Sequence, residues 1–138
     1  MREIKFRIWD TENKEMLKVQ ELDFEPTFFG GRIAIRPDQY SDYFDTEDMI
    51  LMQYTGLKDK NGKEIYEGDI VQHLYEFSDV TDRYLIDYDE DDLSYVFQNI
   101  SNKNRFIALE DLYDEDYGDY AIEVIGNIYE NPELLERR

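Results

Sequence analysis

The sequence predicts a mainly β protein, a single small domain built as a partly open SH3-like or related β-barrel with short helical turns. Short apolar runs recur along the chain, and turn signals separate them at modest spacing. The length of 138 residues is usual for one domain, so we expect one domain over residues 1–138. Aromatic residues make up 15% of the chain, which is typical of a folded protein rather than a disordered polyanion.

An N-terminal hairpin is predicted first. In residues 3–9 apolar and charged side chains alternate, which indicates a strand with one buried face. Trp9 falls on the same side as the charged Lys5 and Arg7, so we expect it at the exposed face or at the strand end. A polar turn over residues 10–14 leads to a return strand that contains Met16 and Leu17.

The region from residue 21 to residue 55 is less regular. Three phenylalanines add core mass, and Gly30-Gly31 precedes a predicted strand over residues 32–36. Residues 37–48 are acidic and aromatic, and we expect a long loop or one helical turn there. A strand over residues 49–55 follows.

The run from Gln53 to Val71, QYTGLKDKNGKEIYEGDIV, is the most specific segment. Asn61-Gly62 between strand-like segments indicates a hairpin, and a type I′ turn would need positive φ at both residues. Gly68-Asp69 predicts a second turn, in which Gly68 supplies backbone freedom and the Asp69 carboxylate accepts bonds from nearby N–H groups. The segment EGDIVQ also opens like many SH3-like barrels, an analogy at the level of the fold.

The second half continues the strand pattern. We predict strands over 70–77, 83–88, 94–98, 106–109 and 120–125, with turns at Asp79 and Asp82 and over 89–92. A helical turn is predicted over 108–113 and a charged loop over 114–119. At the end of the chain we expect a helical turn with Asn131 as N-cap and Pro132 at its first position.

Three segments resemble the YopX family, small proteins mostly encoded by phages and prophages of Gram-positive bacteria. They are the opening REIKFRIWDTENKEML, the central QYTGLKDKNGKEIYEGDIV and the closing EVIGNIYENPELL. Because they lie at the start, middle and end, the resemblance frames the whole chain. It implies a phage or prophage accessory protein and no established biochemical activity.

The charge of the chain bears on its partners. The net charge is −19, and residues 72–138 alone carry 18 acids and 5 bases. Such a surface repels phosphate backbones, so we expect no direct nucleic acid binding. Basic surfaces of host or phage proteins are favoured as partners. Strand-rich domains with aromatic faces also pair through their edges, so a homo-oligomer is a second possibility.

The same composition bears on compartment. There is no cysteine and no apolar run near the ~20 residues of a membrane span, and the N-terminus lacks a signal-peptide core. We therefore expect a cytoplasmic protein of the bacterial host cell, with no membrane association.

No catalytic or metal motif is found in the sequence. Asp87, Asp89, Asp91 and Asp92 are spaced like calcium ligands, but an EF-hand loop counted from Asp87 lacks its glycine and its final glutamate. His73 is the only histidine, and we interpret it as structural. We expect no cofactor and no bound metal.

The preferred hypothesis is a non-enzymatic protein-binding module. Its candidate surface combines Trp9 and the segment Gln53, Tyr54, Thr55 and Gly56 with the acidic residues Asp87, Asp89, Asp91 and Asp92. An alternative is an acidic DNA mimic that occupies a basic groove, which requires carboxylates in two rows about 7 Å apart along each row. A metal-dependent hydrolase is a third, less favoured hypothesis.

Overall fold

The computed structural model describes residues 3–27, 30, 32–74, 81–91, 93–102, 106–108 and 122–136. The described residues form strands β1 to β10 and a 3-10 helix: Phe6–Asp10, Glu15–Asp23, Ala34–Pro37, Met49–Lys58, Glu64–Tyr66, Asp69–Leu74, Thr81–Asp89, Ser94–Asn99, Phe106–Ala108 and Ile122–Asn127, then Pro132–Leu135. The predicted mainly β fold is therefore confirmed. All resolved strand pairings are antiparallel.

The sheets stay open over the described part of the chain, so the predicted barrel is not confirmed. The chain divides into two compact units, Met1–Tyr54 and Thr55–Arg138. The assignment of residues 1–138 to one domain stays a prediction.

In the first unit the strand order is β3-β2-β1-β4. Ile8 of β1 lies opposite Leu17 of β2 and Leu51 of β4, so one face of the sheet gathers apolar side chains. The buried core consists of Ile8, Ile35 and Met49, and Leu17, Val19, Leu22, Ile33, Phe44 and Leu51 pack against it. The alternation in the sequence predicted this face.

A bulge in β2 corrects the alternation of that strand. Leu17 and Val19 face the core, whereas strict alternation would turn Leu22 to the other side. The register with β3 shifts between Val19 and Glu21, and the extra residue brings Leu22 back to the core face opposite Ile35.

Beyond β3, residues 38–48 form a loop, as one of the two predicted alternatives. Phe44 exchanges backbone hydrogen bonds of 2.7 Å in both directions with Ile35 of β3. Strand β3 therefore has partners on both sides, which removes an open sheet edge.

The second unit begins with the β4–β5 hairpin. Asn61-Gly62 lies in its turn, as predicted, but the predicted type I′ geometry is wrong. Gly62 has a φ of +78° whereas Asn61 has no positive φ. The Gly62 N–H donates to the Asp59 carbonyl (3.0 Å), and the Asp59 N–H donates to the Lys63 carbonyl (2.8 Å). This is the three-residue loop in which a turn is followed by a left-handed glycine.

The turn between β5 and β6 is built by Gly68 and Asp69. Gly68 has a φ of +88°, and the buried Asp69 carboxylate accepts a hydrogen bond from the Tyr66 N–H at 2.8 Å. The Gly68 N–H also donates to the Ile86 carbonyl (2.8 Å), so the turn is bonded to β7. Gly68 is buried, so the turn backbone itself is part of the interior.

The main sheet of the second unit has the order β10-β6-β7-β8-β9. The core cluster combines Ile65 of β5 with residues on one face of this sheet, Val71, Tyr84, Ile86, Phe97 and Ile122, and Leu57 and Val124 pack against it. The rings of Tyr84 and Phe97 meet edge to face with centroids 6.0 Å apart.

Several predicted boundaries differ from the observed ones. Asp82 was predicted in a turn but lies inside β7, and the strand predicted over 120–125 is β10, Ile122–Asn127. The helical turn predicted over 108–113 and the loop over 114–119 lie almost wholly outside the described residues, as do Phe28, Phe29, Gly31 and Asp79.

The C-terminal turn forms as a 3-10 helix with Pro132 in its first turn. Asn131 lies at the N-cap position, as predicted, but its side chain makes no capping hydrogen bond. Its Oδ1 accepts instead from the N–H of Asn127, at 3.2 Å. The Leu134 N–H, at the third helical position, donates instead to the Asn131 backbone carbonyl (3.1 Å).

Candidate binding surface

The end of the β7–β8 hairpin carries the most distinctive surface of the second unit. We call residues 87–95 the hairpin tip. In the sequence, five of the six residues from 87 to 92 are acidic. Asp87, Glu90 and Asp91 are exposed, Asp89 is half-buried, and Asp92 lies outside the described residues. Cross-strand pairing ends with Tyr88 opposite Tyr95 and Asp89 opposite Ser94.

Two tyrosines stand among these acids. The rings of Tyr88 and Tyr95 meet edge to face with centroids 5.3 Å apart. Because residues paired across strands share a face, they lie on the face that carries Ile86 and Phe97. Tyr88 is nevertheless 41% exposed, so the face that is buried at Ile86 and Phe97 becomes partly exposed and aromatic at the tip.

Leu93 is the residue of the tip that the fold explains least. Its side chain is 74% exposed, and its φ is +53°. A left-handed backbone costs an L-residue about 1–2 kcal/mol, and glycine or asparagine tolerates it better. An apolar side chain in water at a position with a strained backbone is a reason to look for a binding role.

The tip does not form a metal site in the described residues. The Asp89 carboxylate accepts the Asp91 N–H (3.0 Å), and the Asp87 carboxylate accepts the Tyr88 N–H (2.9 Å). Across the described part of the chain, no group of three or more His, Cys, Asp or Glu residues could hold a metal ion.

The other half of the predicted surface is divided by the fold. In the first unit Gln53 lies opposite Phe6, on the core face of β1, whereas Trp9 lies opposite Ile50 on the other face. Tyr54 is 3% exposed and Thr55 is also buried, so the expected exposure of this segment is not found at these two residues, and their contact with a partner stays a prediction.

Both buried residues make contacts with neighbouring strands or segments. The Tyr54 N–H donates to the Lys5 carbonyl (2.9 Å), and the Lys5 ammonium lies 5.8 Å from the centroid of its ring. In the second unit the Thr55 hydroxyl donates to the Ile65 carbonyl (2.7 Å), and Gly56 follows with a φ of +93°. These residues build the β4–β5 hairpin.

Comparison with known proteins identifies the family. The sequence matches the family of YopX proteins over residues 5–136. The chain belongs to the YopX family. The crystal structure of protein EF1440 from Enterococcus faecalis is similar, with 32% identity, a TM-score of 0.60, and coverage of 99% of this chain and 100% of that one.

A second solved structure shares the fold of this YopX-family chain. It is protein yopX from Bacillus subtilis, with 24% identity, a TM-score of 0.61, and coverage of 99% and 100% of the two chains. No curated protein matches the sequence. Among the described residues, no helix is long and apolar enough to cross a membrane.

His73 of this YopX-family chain lies near the end of β6, between β10 and β7. It is paired with Asp82 of β7 and with Ile122 of β10. Burial lowers the pKa of His73 below its usual value, and the charge of Asp82 opposes part of that shift. The neutral imidazole is therefore the form that the fold favours.

Asp59 is one of the residues whose role the sequence analysis did not predict. Its side chain is buried, and one carboxylate oxygen accepts the N–H groups of Asn61 (2.8 Å) and Lys63 (2.9 Å). The other oxygen accepts the N–H of Val124 in β10 at 2.9 Å. Aspartate is favoured at the first position of a turn, so the sequence indicates the bonds within the turn. Nothing in the sequence indicates the bond to Val124.

A surface cluster in the first unit was also missed. The Glu21 carboxylate accepts hydrogen bonds from the Tyr43 hydroxyl and from Arg36 Nε. These two donors lower the pKa of Glu21, Tyr43 first, and the carboxylate raises the pKa of Tyr43. The three residues connect β2, β3 and the loop after β3. We interpret this cluster as a structural contact at the surface and not as a catalytic site.

Proposed function

We propose that this YopX-family protein is a non-enzymatic binding module whose hairpin tip docks on a basic protein. The observation that carries the proposal is Leu93, an exposed apolar residue with positive φ in the same hairpin tip as the exposed Tyr88. An interface of this kind has an aromatic or apolar anchor in its centre and charged residues at its rim.

The charge of the tip supports a basic partner. Asp87, Asp89, Glu90 and Asp91 belong to the same hairpin tip as Tyr88 and Leu93, and three of the four, Asp87, Glu90 and Asp91, are exposed. Complementary charge speeds association and selects partners, and its effect falls with ionic strength. A host or phage protein with a basic surface is the partner class that fits.

The wider setting is part of the same proposal. The family resemblance supports an accessory role in a phage or prophage, inside the bacterial cytoplasm. Trp9, Gln53 and Gly56 stay predicted contacts, and homo-oligomerisation stays a prediction.

Affinity capture with matched variants tests the proposal. The bait is the wild-type chain, and the tip variant replaces Asp87, Asp89 and Asp91 with asparagine and Leu93 with asparagine. Asparagine keeps the side-chain oxygens that accept the N–H groups of Tyr88 and Asp91. We expect a basic protein that wild type retains at low salt, that high salt elutes, and that the tip variant loses.

The control variant carries the same charge change elsewhere. Replacement of the exposed Glu12, Glu15 and Glu25 by glutamine removes three charges in the first unit and should leave capture intact. If both variants lose the partner equally, net charge alone explains retention and the tip has no role. Release of the captured protein by duplex DNA would favour the DNA-mimic alternative.

Leu93→Asn separates binding from folding. Asparagine accepts a left-handed backbone more readily, so we expect the free energy of unfolding to rise by about 0.5–1 kcal/mol in urea titrations. The same variant should bind the captured partner more weakly, whereas Leu93→Ala, which keeps the backbone strain, should lose binding without the gain in stability. If the Leu93→Asn protein is less stable than wild type, the claim that Leu93 strains the backbone is contradicted.

A further inference from the structure

We propose that Asn61 is a site of spontaneous deamidation, and that its conversion to isoaspartate weakens the hydrogen bonds that Asp59 accepts. The proposal concerns the β4–β5 turn and is independent of the binding role of the hairpin tip.

The environment of Asn61 leaves its side chain accessible. Asn61-Gly62 is the only Asn-Gly pair in the sequence, and both residues are exposed. A Cβ placed on Gly62 would meet nothing within 4 Å. The Asn61 side-chain amide has no hydrogen-bond partner among the described residues, while its N–H donates to Asp59.

The chemistry needs only these two residues and water. The Gly62 nitrogen loses its proton and forms a bond to Cγ of Asn61, and the Cγ–Nδ2 bond breaks with loss of ammonia. Glycine favours this step because no side chain hinders the approach of its nitrogen, and asparagine is among the thermolabile residues. Water then opens the cyclic imide at either carbonyl, which gives aspartate or isoaspartate.

The Gly62 nitrogen is only weakly protected in the fold. Its N–H donates to the Asp59 carbonyl at 3.0 Å, within the same exposed turn. A single hydrogen bond of this kind contributes about 1 kcal/mol net, which does not prevent the turn from opening locally.

The product changes the groups that hold Asp59. In the unmodified protein the N–H groups of residues 61 and 63 both donate to the same Asp59 carboxylate oxygen. Isoaspartate adds one methylene to the main chain between these two N–H groups, which changes their spacing. It also places a new negative charge two residues from the Asp59 carboxylate, and like charges repel. We infer that Asp59 then binds the Val124 N–H less well.

Ageing of the purified full chain in mildly alkaline buffer tests both steps. Peptide mass spectrometry, with fragmentation that distinguishes isoaspartate from aspartate, follows Asn61. Asn13 is an internal control, since it is exposed but precedes a lysine, and its Nδ2 donates to Asp10 at 2.9 Å. We expect Asn61 to convert to a mixture with isoaspartate while Asn13 keeps its amide.

Hydrogen exchange at the Val124 amide reads out the second step. Conversion should speed this exchange about tenfold, the size expected when a hydrogen bond to a charged group is weakened. Asn61→Gln, whose longer side chain closes the ring poorly, should keep the exchange of Val124 unchanged through the same incubation.

Two results would overturn the inference. If Asn61 keeps its amide in the folded chain while the urea-unfolded chain converts over the same time, the turn protects it and the site does not exist. If Asn61 converts but the exchange of Val124 stays as before, Asp59 does not depend on this turn.

Discussion

Asp59 accepts more backbone hydrogen bonds than the turn motifs of the sequence predict. Its carboxylate accepts three N–H groups, two within its own turn and one from β10. A buried carboxylate is tolerated when such donors satisfy it. The Lys60 N–H adds a further bond to the Ile122 carbonyl (3.0 Å), so the hairpin and the strand are joined side by side.

We predict that Asp59→Asn lowers the free energy of unfolding by about 1–3 kcal/mol. The asparagine Oδ1 can still accept from the turn, but its Nδ2 cannot accept from Val124, so a donor is left without its partner. Urea titration measures the loss. Asp42→Asn, at an exposed position, is the control and should stay within about 0.5 kcal/mol of wild type; an equal loss in both variants would contradict the role of Asp59.

His73 gives the molecule a pH dependence of defined sign. Its pKa is lowered in the folded chain by burial, so between the folded and unfolded values the unfolded chain binds more protons. This contribution leaves stability unchanged above the unfolded pKa of about 6.5 and removes stability as the pH falls below it.

We therefore predict that His73→Gln makes the free energy of unfolding less sensitive to pH between about pH 7.5 and pH 5.5. Denaturation at several pH values, with wild type and variant measured side by side, gives the difference. Asp82, paired with His73, opposes the shift, so Asp82→Asn should enlarge the effect in the chain that keeps the histidine. Parallel curves for wild type and His73→Gln would contradict the assignment.

At the scale of elements, two glycines are required for different reasons. Gly62 needs a positive φ, but an added Cβ there would touch nothing. Gly126 lies at a bulge in β10, and a Cβ there would lie 2.5 Å from Oδ1 of Asn131 and 2.9 Å from Cδ1 of Leu134. The close approach of the 3-10 helix to β10 therefore requires glycine at 126.

We predict that Gly126→Ala displaces the 3-10 helix and costs about 1–3 kcal/mol of stability. Amide chemical shifts and proteolysis of residues 128–136 would report the displacement. Gly62→Ala should cost about 1 kcal/mol through its backbone alone and leave that segment unchanged. If Gly126→Ala leaves the chemical shifts of the segment unaltered, the close packing is not required.

The strands were more predictable than the bonds between them. Alternation placed Ile8 in the first core, and the Asn61-Gly62 and Gly68-Asp69 pairs placed two turns. The turn type at Asn61, the side-chain bond of Asn131 and the burial of Tyr54 were not predictable, because each depends on residues that the fold brings near. The acidic composition of the hairpin tip was visible in the sequence, but the exposed Leu93 with positive φ was not.

At the scale of the whole molecule, charge opposes the compact state. The net charge on the 138 residues is −19, and the excess negative side chains repel one another more strongly when folding brings them closer together. Among the described residues, the buried carboxylates of Asp10, Asp45, Asp59 and Asp69 accept hydrogen bonds from nearby N–H groups, which offsets part of this cost. Asp10 is an example: burial would raise its pKa, but bonds from the Asn13 side chain and from the N–H groups of Asn13 and Glu12 lower it overall.

We predict that added salt stabilises the protein. The urea midpoint should rise as ionic strength increases from about 0.01 M to 0.15 M, over which the screening length falls from about 30 Å to 8 Å. Sodium chloride and choline chloride should act alike if screening is the cause. A midpoint that does not move, or that rises with only one cation, would contradict a general self-repulsion.

The hydrogen bond between Asp59 and Val124 spans 65 residues, which has a consequence for the order of folding. A hairpin such as β4–β5 closes within about 1–10 μs, and we expect β10 to pair later, because contacts between residues distant in sequence form slowly. The Asp59 carboxylate therefore stays hydrated until late in folding. Its hydrogen bond to Val124 then contributes little to the stability of the folding transition state. Its loss should appear as a faster unfolding rate with an almost unchanged refolding rate, so this single contact sets the lifetime of the native molecule more than the speed of its formation.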